Sequence, residues 1–285
     1  MILLLALMAC APPPDGPMVC NGSIDTCERP LNGLTLAMTH NSHANEDRGY
    51  HQAAMNQYPS VTRQLIDGIR ALNYDVYLED VDASGQAEMI LCHGFCILGF
   101  QTLEEGLREI DSFLDMNPNE LVLLVLQNEA PVQDTVAAFE SSSLFERMHT
   151  QLPGQPWPTW GEMVLAEQRF VLFSDPTDEE VPDWFHAENE FIYGTPWGTK
   201  TKGDFTCQLD QDPFSYGLFS LNHTLTNPIA SPDLATSVND AAYLEERVGD
   251  CSEIGGKTPN LIEVDYYTTG DVVEVVSRLN AELSP

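Results

Sequence analysis

Short apolar runs alternate with amphipathic segments along most of this chain. Eight runs are predicted as strands; in chain order they are Leu34–Met38, Ile69–Tyr74, Met89–Leu91, Leu121–Leu126, Phe170–Phe173, Glu190–Tyr193, Leu218–Leu221 and Leu261–Val264. The apolar positions of Leu103–Asn117 repeat at helical spacing, and Thr102 with Glu105 predicts a capping box at its start. Helices are also predicted over Ser60–Asp67 and Asp271–Leu283. This alternation is typical of α/β proteins, and eight strands fit a TIM-type (β/α)₈ barrel, regular or irregular.

Composition restricts the partners of this domain. The chain has 285 residues, 43% of them hydrophobic, enough for one large core. Its 44 acidic and 12 basic residues give a formal net charge of −32. Because this charge repels polyanions, we expect no nucleic-acid partner. We also expect the protein to be a monomer.

The N-terminus predicts export. Residues 1–10 are apolar, uncharged and end in Cys10, which resembles a bacterial lipoprotein signal and predicts either a lipid anchor at a membrane surface or a secretory signal. Residues 11–30 are predicted as a proline-rich tether and a small cysteine loop, and residues 31–285 as the barrel. We therefore expect a secreted protein or a lipoprotein of the cell envelope.

The cysteines also favour an oxidising compartment. Without Cys10, six cysteines remain, and six allow 15 disulfide pairings. We favour the pairs Cys20–Cys27, Cys92–Cys96 and Cys207–Cys251. A zinc site is the alternative, but the chain contains no CxxC motif.

Two histidines follow apolar runs that we predict as strands. His40 comes soon after the first run, and His93 follows Met89–Leu91. Because the carboxyl ends of barrel strands meet at one rim, both imidazoles are expected at the same cavity. Imidazole titrates near neutrality, so one histidine can act as a general base and the other as a general acid.

Polar residues two positions apart follow the neighbouring strands. These pairs are Asn73 with Asp75 and Gln127 with Glu129, and each pair lies on one face of its strand. Oxygen ligands beside an acid and a base suit phosphodiester cleavage, in which a cation or an arginine offsets the charge that builds up on phosphorus.

Further site residues are predicted from their positions. We expect Asp75 to take part in catalysis and Arg70, Glu129 and His223 to contact the substrate. Residues 195–215 are predicted as a long loop, in which Trp197 is a candidate for the substrate mouth, together with Phe205.

Several motifs resemble the X domain of phosphatidylinositol-specific phospholipases C. They are Met38-Thr39-His40-Asn41-Ser42, Gln64 to Leu72, Leu91-Cys92-His93-Gly94, and Leu114 to Gln127. Residues 222–228 and 259–265 resemble a secreted branch of the same superfamily. The resemblance implies a TIM barrel that cleaves a phospholipid or another phosphodiester, with His40 as base and His93 as acid.

The resemblance also bears on calcium. Calcium-dependent members bind the ion through Asn, Glu, Asp and Glu, and the matching residues here are Asn41, Asn73, Asp75 and Gln127. Two carboxylates are thus replaced by amides, which lowers the expected affinity for Ca²⁺ unless Glu129 substitutes. Metal-independent members carry an arginine where Asp75 stands.

Three alternatives stay open at this point. A metal-dependent glycerophosphodiesterase or sphingomyelinase D would require Glu-x-Asp, where this chain has Asn73-Tyr74-Asp75. A non-catalytic barrel could bind a lipid head group or a partner at the cell surface. His40 and His43 also have the spacing of an HxxH metal pair.

Overall fold

The protein is described by a computed structural model that covers residues 16–80 and 85–282. The predicted signal at residues 1–10 and the first part of the predicted tether lie outside the described residues. The described residues begin just before the loop closed by Cys20 and Cys27. Both cysteines are buried in a core cluster with Trp160, so this loop packs onto the same domain as the barrel strands.

Ten strands form one sheet. They are β1 Leu36–Thr39, β2 Ala71–Glu79, β3 Glu88–Leu91, β4 Gln101–Thr102, β5 Val122–Asn128, β6 Phe170–Ser174, β7 His186–Ala187, β8 Ile192–Gly194, β9 Leu218–Asn222 and β10 Leu261–Val264. Eight of them are parallel neighbours in the order β7-β6-β5-β2-β1-β10-β9-β8. The prediction of a TIM-type α/β architecture is therefore confirmed.

Helices connect the strands. They are α1 Ile24–Cys27, α2 Val61–Ile66, α3 Leu103–Met116, α4 Val132–Glu140, α5 Trp160–Leu165, α6 Glu188–Phe191, α7 Pro232–Thr236, α8 Ala241–Gly255 and α9 Val272–Glu282. The predicted capping box of α3 is present: Thr102 Oγ1 accepts from the Glu105 backbone N–H, and the Glu105 carboxylate accepts from the Thr102 N–H. No helix in the described residues is long and apolar enough to cross a membrane.

Alternate positions along the strands divide the core into two layers. On β2, Leu72 and Tyr74 face the helices, whereas Ala71, Asn73 and Asp75 face the inside of the curled sheet. The inward side chains change from apolar to polar along each strand, as in Leu261 followed by Glu263. The barrel is therefore filled with apolar side chains at one end and opens into a polar cleft at the carboxyl ends.

The structure corrects three predictions about strands. Met89–Leu91 belongs to β3, which pairs antiparallel with β2 and lies outside the parallel series. The eighth parallel strand is instead His186–Ala187, a pair of residues too short to show a period-two pattern. The predicted strand Glu190–Tyr193 is divided equally between the end of α6 and the start of β8. In addition, a (β/α)₈ barrel would be closed by hydrogen bonds between its first and last strands in spatial order. Here those strands are β7 and β8, and among the described residues they do not pair with each other.

The three predicted disulfides are confirmed. Cys20–Cys27 closes the N-terminal loop, Cys92–Cys96 flanks His93, and Cys207–Cys251 joins the long loop to α8. The last of these tethers the segment that begins with Trp197 at the mouth of the cleft.

Candidate active site

His40 lies at the carboxyl end of β1 and is held by a buried carboxylate. Its Nδ1 is 2.9 Å from Oδ1 of Asp265, which directly follows β10. The same oxygen accepts a hydrogen bond from Asn56 at 2.7 Å. Burial alone would lower the pKa of His40, but the charge and hydrogen bond of Asp265, with the charges of Glu263 and Asp75, raise it to about 9. His40 is therefore held as an imidazolium near neutral pH.

His93 reaches the same cleft by a different route. Because β3 runs antiparallel to β2, its last residue Leu91 lies opposite Val76, and the chain then turns into the cleft. The His93 Nδ1 lies 3.1 Å from the backbone oxygen of Ala54, and its ring centroid is 6.3 Å from that of His40. Burial and the neighbouring charge of His40 lower the pKa of His93. The two imidazoles thus face each other with different proton affinities.

Asn41 joins His40 to Asp75. With its amide nitrogen towards Asp75, Asn41 donates to both carboxylate oxygens at 3.0 Å and accepts from Nε2 of His40 at 3.1 Å. Its backbone adopts a φ of 45°, which Asn tolerates, and its N–H donates to Oδ1 of Asn73. Burial raises the pKa of Asp75 to about 7, although the charge of His40 opposes the shift.

The four residues matched to calcium ligands do not fit a calcium site here. The oxygens of Asp75 accept from Asn41, the oxygen of Asn73 accepts from the Asn41 N–H, and the Gln127 amide donates to Glu129. Calcium prefers six to eight oxygen ligands, several of them charged, and this set offers a single carboxylate. In the described residues, no group of three or more His, Cys, Asp or Glu side chains is arranged to hold a metal ion.

Two adjoining cavities form the cleft. The mouth cavity has about 590 Å³ and is lined by both histidines, Asp75 and Lys200. The inner cavity has about 390 Å³ and lies inside the curled sheet. The two share His40, Gln127 and Trp197. Among the described residues that line them, Lys200 is the one Lys or Arg.

The long loop contributes one of its two predicted aromatic residues to the mouth. Trp197 is 75% exposed and lines both cavities. Phe205 instead stacks on His223 and lies against the guanidinium of Arg247, 3.8 Å from the ring centroid. Phe205 therefore packs beneath the loop and does not contact the cleft.

Two predicted site residues, and His43 of the alternative metal pair, lie away from the cleft. Arg70 is buried at the opposite end of β2, where it pairs with Glu120 at 2.8 Å and donates to backbone oxygens, so the prediction that it contacts substrate is wrong. His223 is fully buried between Val238 and Arg247 and is likewise no substrate contact. His43 is buried among tyrosines, which does not fit an HxxH metal pair.

The remaining predicted residues come together, and others join them. Asn73, Gln127 and Glu129 all line the inner cavity. The inner cavity also has acidic and polar residues that were not predicted from the sequence, and Asp265 behind His40 was not predicted either; the cavity residues are Asp175, Glu188, Asp210, Ser220, Asn222 and Glu263. A usable signal was present: on β9 and β10, polar residues replace apolar ones at every second position.

Comparison with known proteins agrees with this fold. The family model described as "PI-PLC X 1" matches residues 26–280. An uncharacterized secreted protein of Arthroderma benhamiae is 28% identical over 96% of this chain and 65% of its own length. A PI-PLC X domain-containing protein of Arabidopsis thaliana is 28% identical over 88% of this chain and 62% of its own length. The chain thus spans less than two thirds of each of these two relatives.

Solved structures share the architecture at low sequence identity. The phosphatidylinositol-specific phospholipase C of Listeria monocytogenes has a TM-score of 0.59 and 17% identity, covering 90% of this chain and 95% of that one. A mutant of the Staphylococcus aureus enzyme has a TM-score of 0.60 and 12% identity, covering 87% and 93%. Since the family model spans most of the chain, this protein belongs to the PI-PLC X domain family.

Proposed function

We propose that this protein is a phosphodiesterase that cleaves a phospholipid-type phosphodiester by general acid–base catalysis. The observation that carries the proposal is the pair of imidazoles, 6.3 Å apart between ring centroids, which face each other at the mouth cavity. Each ring is fixed through Nδ1, His40 by Asp265 and His93 by Ala54, which directs each Nε2 atom away from its anchor.

In this proposal, His40 is the base. Its neutral form, the minor one near neutral pH because the pKa of His40 is raised to about 9, no longer donates to Asn41 and accepts at Nε2 the proton of the attacking hydroxyl group or water, while the new oxygen–phosphorus bond forms. His93, protonated at Nε2, donates that proton to the leaving oxygen as the second oxygen–phosphorus bond breaks. Asp265 stabilises the imidazolium that forms on His40, as a carboxylate does behind a catalytic histidine.

The negative charge on phosphorus requires a counter-charge. Lys200 lines the same cavity as both histidines, and among the described residues that line it, its ammonium group is the one basic group besides the imidazoles. We assign to Lys200 and to protonated His40 the charge stabilisation that an arginine or a metal would otherwise supply.

A lipid substrate is supported by the surface around the mouth. Phe95 is 77% exposed and Ile97 is 94% exposed, and both follow His93 within the loop that contains the Cys92–Cys96 disulfide. We call these two residues and Trp197, which is exposed at the mouth cavity, the apolar rim, and exposed apolar side chains of this kind favour contact with a lipid surface. Modulation of membrane binding has been described for the S. aureus phosphatidylinositol-specific phospholipase C.

Export is part of the proposal. Three disulfides suit an oxidising compartment, and one relative is named a secreted protein. A lipid anchor on Cys10 would place the apolar rim near a membrane, and mass spectrometry of the protein from its native host tests for that anchor.

Turnover of diesters with different leaving groups tests the mechanism. His40→Ala and His93→Ala should each slow the cleavage of an alkyl phosphodiester by about 10²- to 10⁴-fold. With p-nitrophenolate as the leaving group, His93→Ala should recover most of its rate, because this leaving group needs no proton, whereas His40→Ala should not. The exposed His51→Ala is the matched control. Absence of wild-type turnover on all diesters, or equal rates in wild type and His40→Ala, would reject the proposal.

A further inference from the structure

The inner cavity carries more negative charge than phosphodiester cleavage requires. Its five carboxyl groups come from Glu129, Asp175, Glu188, Asp210 and Glu263, and none of the described residues that line it is a Lys or Arg. Burial raises the pKa values of Asp175, Glu188 and Glu263, and the charge of a neighbouring carboxylate adds to the shift of each.

Part of this charge is already stabilised by hydrogen bonds. Glu129 accepts from the side chain of Gln127, Asp175 from the Asn128 N–H, and Asp210 from the Gly194 N–H. The carboxyl groups of Glu188 and Glu263 accept no hydrogen bond from any described residue. These two groups are therefore available to a ligand.

Of these two carboxyl groups, that of Glu263 is the more clearly placed to contact a ligand. Glu263 is 7% exposed, and its side chain extends from β10 into the cavity on the same face as Leu261 and Asp265. Ser220, on the adjacent strand β9, is 8% exposed and its hydroxyl group also has no partner in the described part of the chain. A buried carboxylate and a buried hydroxyl group without partners, aimed into one cavity, indicate a polar ligand there.

The negative charge of the inner cavity restricts which charged groups its ligand can carry. A head group with an additional phosphate would be repelled, whereas an ammonium group would offset the carboxylates at short range. The amide oxygens of Gln127 and Asn222, which accept no hydrogen bond from a described residue, can accept one from a hydroxyl group, and the exposed ring of Trp197 can contact a cation through its face.

We propose that the inner cavity binds an ammonium group of the substrate's head group, with Glu263 and Glu188 as its counter-charges. The assignment to a head group rests on the proposed phosphodiesterase function, whereas the ammonium site rests on the cavity alone. Two sources share this chemistry: an amino sugar, which adds hydroxyl groups, and a quaternary amine such as choline.

Calorimetric binding to matched pairs of small molecules tests the site. The probes are glucosamine against glucose, and choline against 3,3-dimethylbutan-1-ol, which has the same shape without the charge. We expect the cation of at least one pair to bind about tenfold more tightly than its neutral partner, and the pair that responds identifies the source. Equal binding within both pairs would overturn the proposal.

A charge-matched pair of variants assigns the binding to Glu263. Glu263→Gln should remove most of the preference for the cation, and Glu140→Gln on the exposed end of α4, which removes the same charge, should leave it unchanged. Because Glu263→Gln removes a buried charge, the fold should be retained, and circular dichroism verifies it. If Glu263→Gln does not fold, Glu188→Gln is used instead. Equal preference in the cavity variant and in Glu140→Gln would also overturn the assignment.

Binding and turnover separate the two proposals. A protein that discriminates glucosamine from glucose but cleaves no diester keeps the ammonium site and loses the phosphodiesterase function. A protein that cleaves diesters through His40 but binds cationic and neutral probes equally keeps its function and loses the ammonium site.

Discussion

His40 and Asp265 lie 225 positions apart in the chain, yet their Nδ1 and Oδ1 atoms are 2.9 Å apart. The parallel pairing of β1 with β10 brings them together, because Thr39 lies opposite Val264 and each functional residue follows directly. The carboxylate therefore acts on the imidazole through a hydrogen bond and through its charge.

The first prediction concerns the pH dependence of kcat/KM. Because His40 must be neutral and His93 protonated, the active form is a minor one at every pH, and the product of the two fractions gives a bell-shaped profile. Its acid limb should lie below 6.5, the ordinary pKa that burial lowers in His93, and its alkaline limb near the pKa of about 9 of His40. Asp265→Asn removes a negative charge beside the His40 imidazolium, which lowers the pKa of His40 and should move the alkaline limb to lower pH. The same substitution should reduce turnover by about 10²-fold or more. Asp134→Asn on exposed α4 is the control. An alkaline limb that stays in place in Asp265→Asn contradicts the assignment.

A second prediction concerns metal removal. Because Asn41 occupies the oxygens of Asp75 and Asn73, we expect excess EDTA to leave the turnover of a soluble diester unchanged. The measurement is initial rate after dialysis against chelator, with and without added Ca²⁺. Loss of activity in EDTA, restored by Ca²⁺ but not by Mg²⁺, would show that the side chains rearrange to form a calcium site.

The disulfides should differ in what they stabilise. Cys207–Cys251 spans 44 positions, so its removal as a double alanine variant should lower the free energy of unfolding by about 4 kcal/mol, against about 2 kcal/mol for Cys92–Cys96, which spans 4. Loss of the shorter bridge should instead reduce turnover, because it flanks His93. Urea denaturation and diester cleavage, measured on both variants, check the two effects. Equal losses of stability would contradict the loop-closure argument.

The apolar rim should control binding to vesicles. Replacing Phe95 or Ile97 by Ser removes an exposed apolar side chain, which should weaken partitioning to phosphatidylcholine vesicles by about tenfold for each residue. Turnover of a soluble diester should stay unchanged. Because the net charge is −32, binding should weaken further on anionic vesicles at low salt. The control is Leu165→Ser, because Leu165 lies at the end of α5 and is 76% exposed. An equal loss of vesicle binding in Leu165→Ser would show that the apolar rim has no special role in that binding.

The sequence predicts the part of the site that is encoded locally. His40 and His93 follow apolar runs, and the spacing of two between Asn73 and Asp75, and again between Gln127 and Glu129, places each pair on one strand face. All these residues line the cleft in the structure.

Other features depend on long-range pairing. The route of His93 was not predictable, because an antiparallel hairpin and a parallel strand share the same apolar pattern over four residues. Arg70 directly precedes β2 and so lies at the end opposite the cleft, and only knowledge of its partner Glu120 explains its burial. Asp265 joins the site solely because β10 pairs with β1.

The unpaired edges of the sheet have a consequence for the size of what it can admit. In a closed barrel, strand number and stagger determine the diameter. Here the described edges β7 and β8 are joined by the four residues of α6 without a ladder between them, so strand pairing does not set the distance between these edges. Glu188 begins α6 and therefore belongs to this seam, whereas Glu263 lies on β10, separated from β8 by β9. The distance between these two carboxyl groups therefore depends on α6 and not on strand pairing alone, so a change in the length of α6 would alter the breadth of the ligand that fits between them.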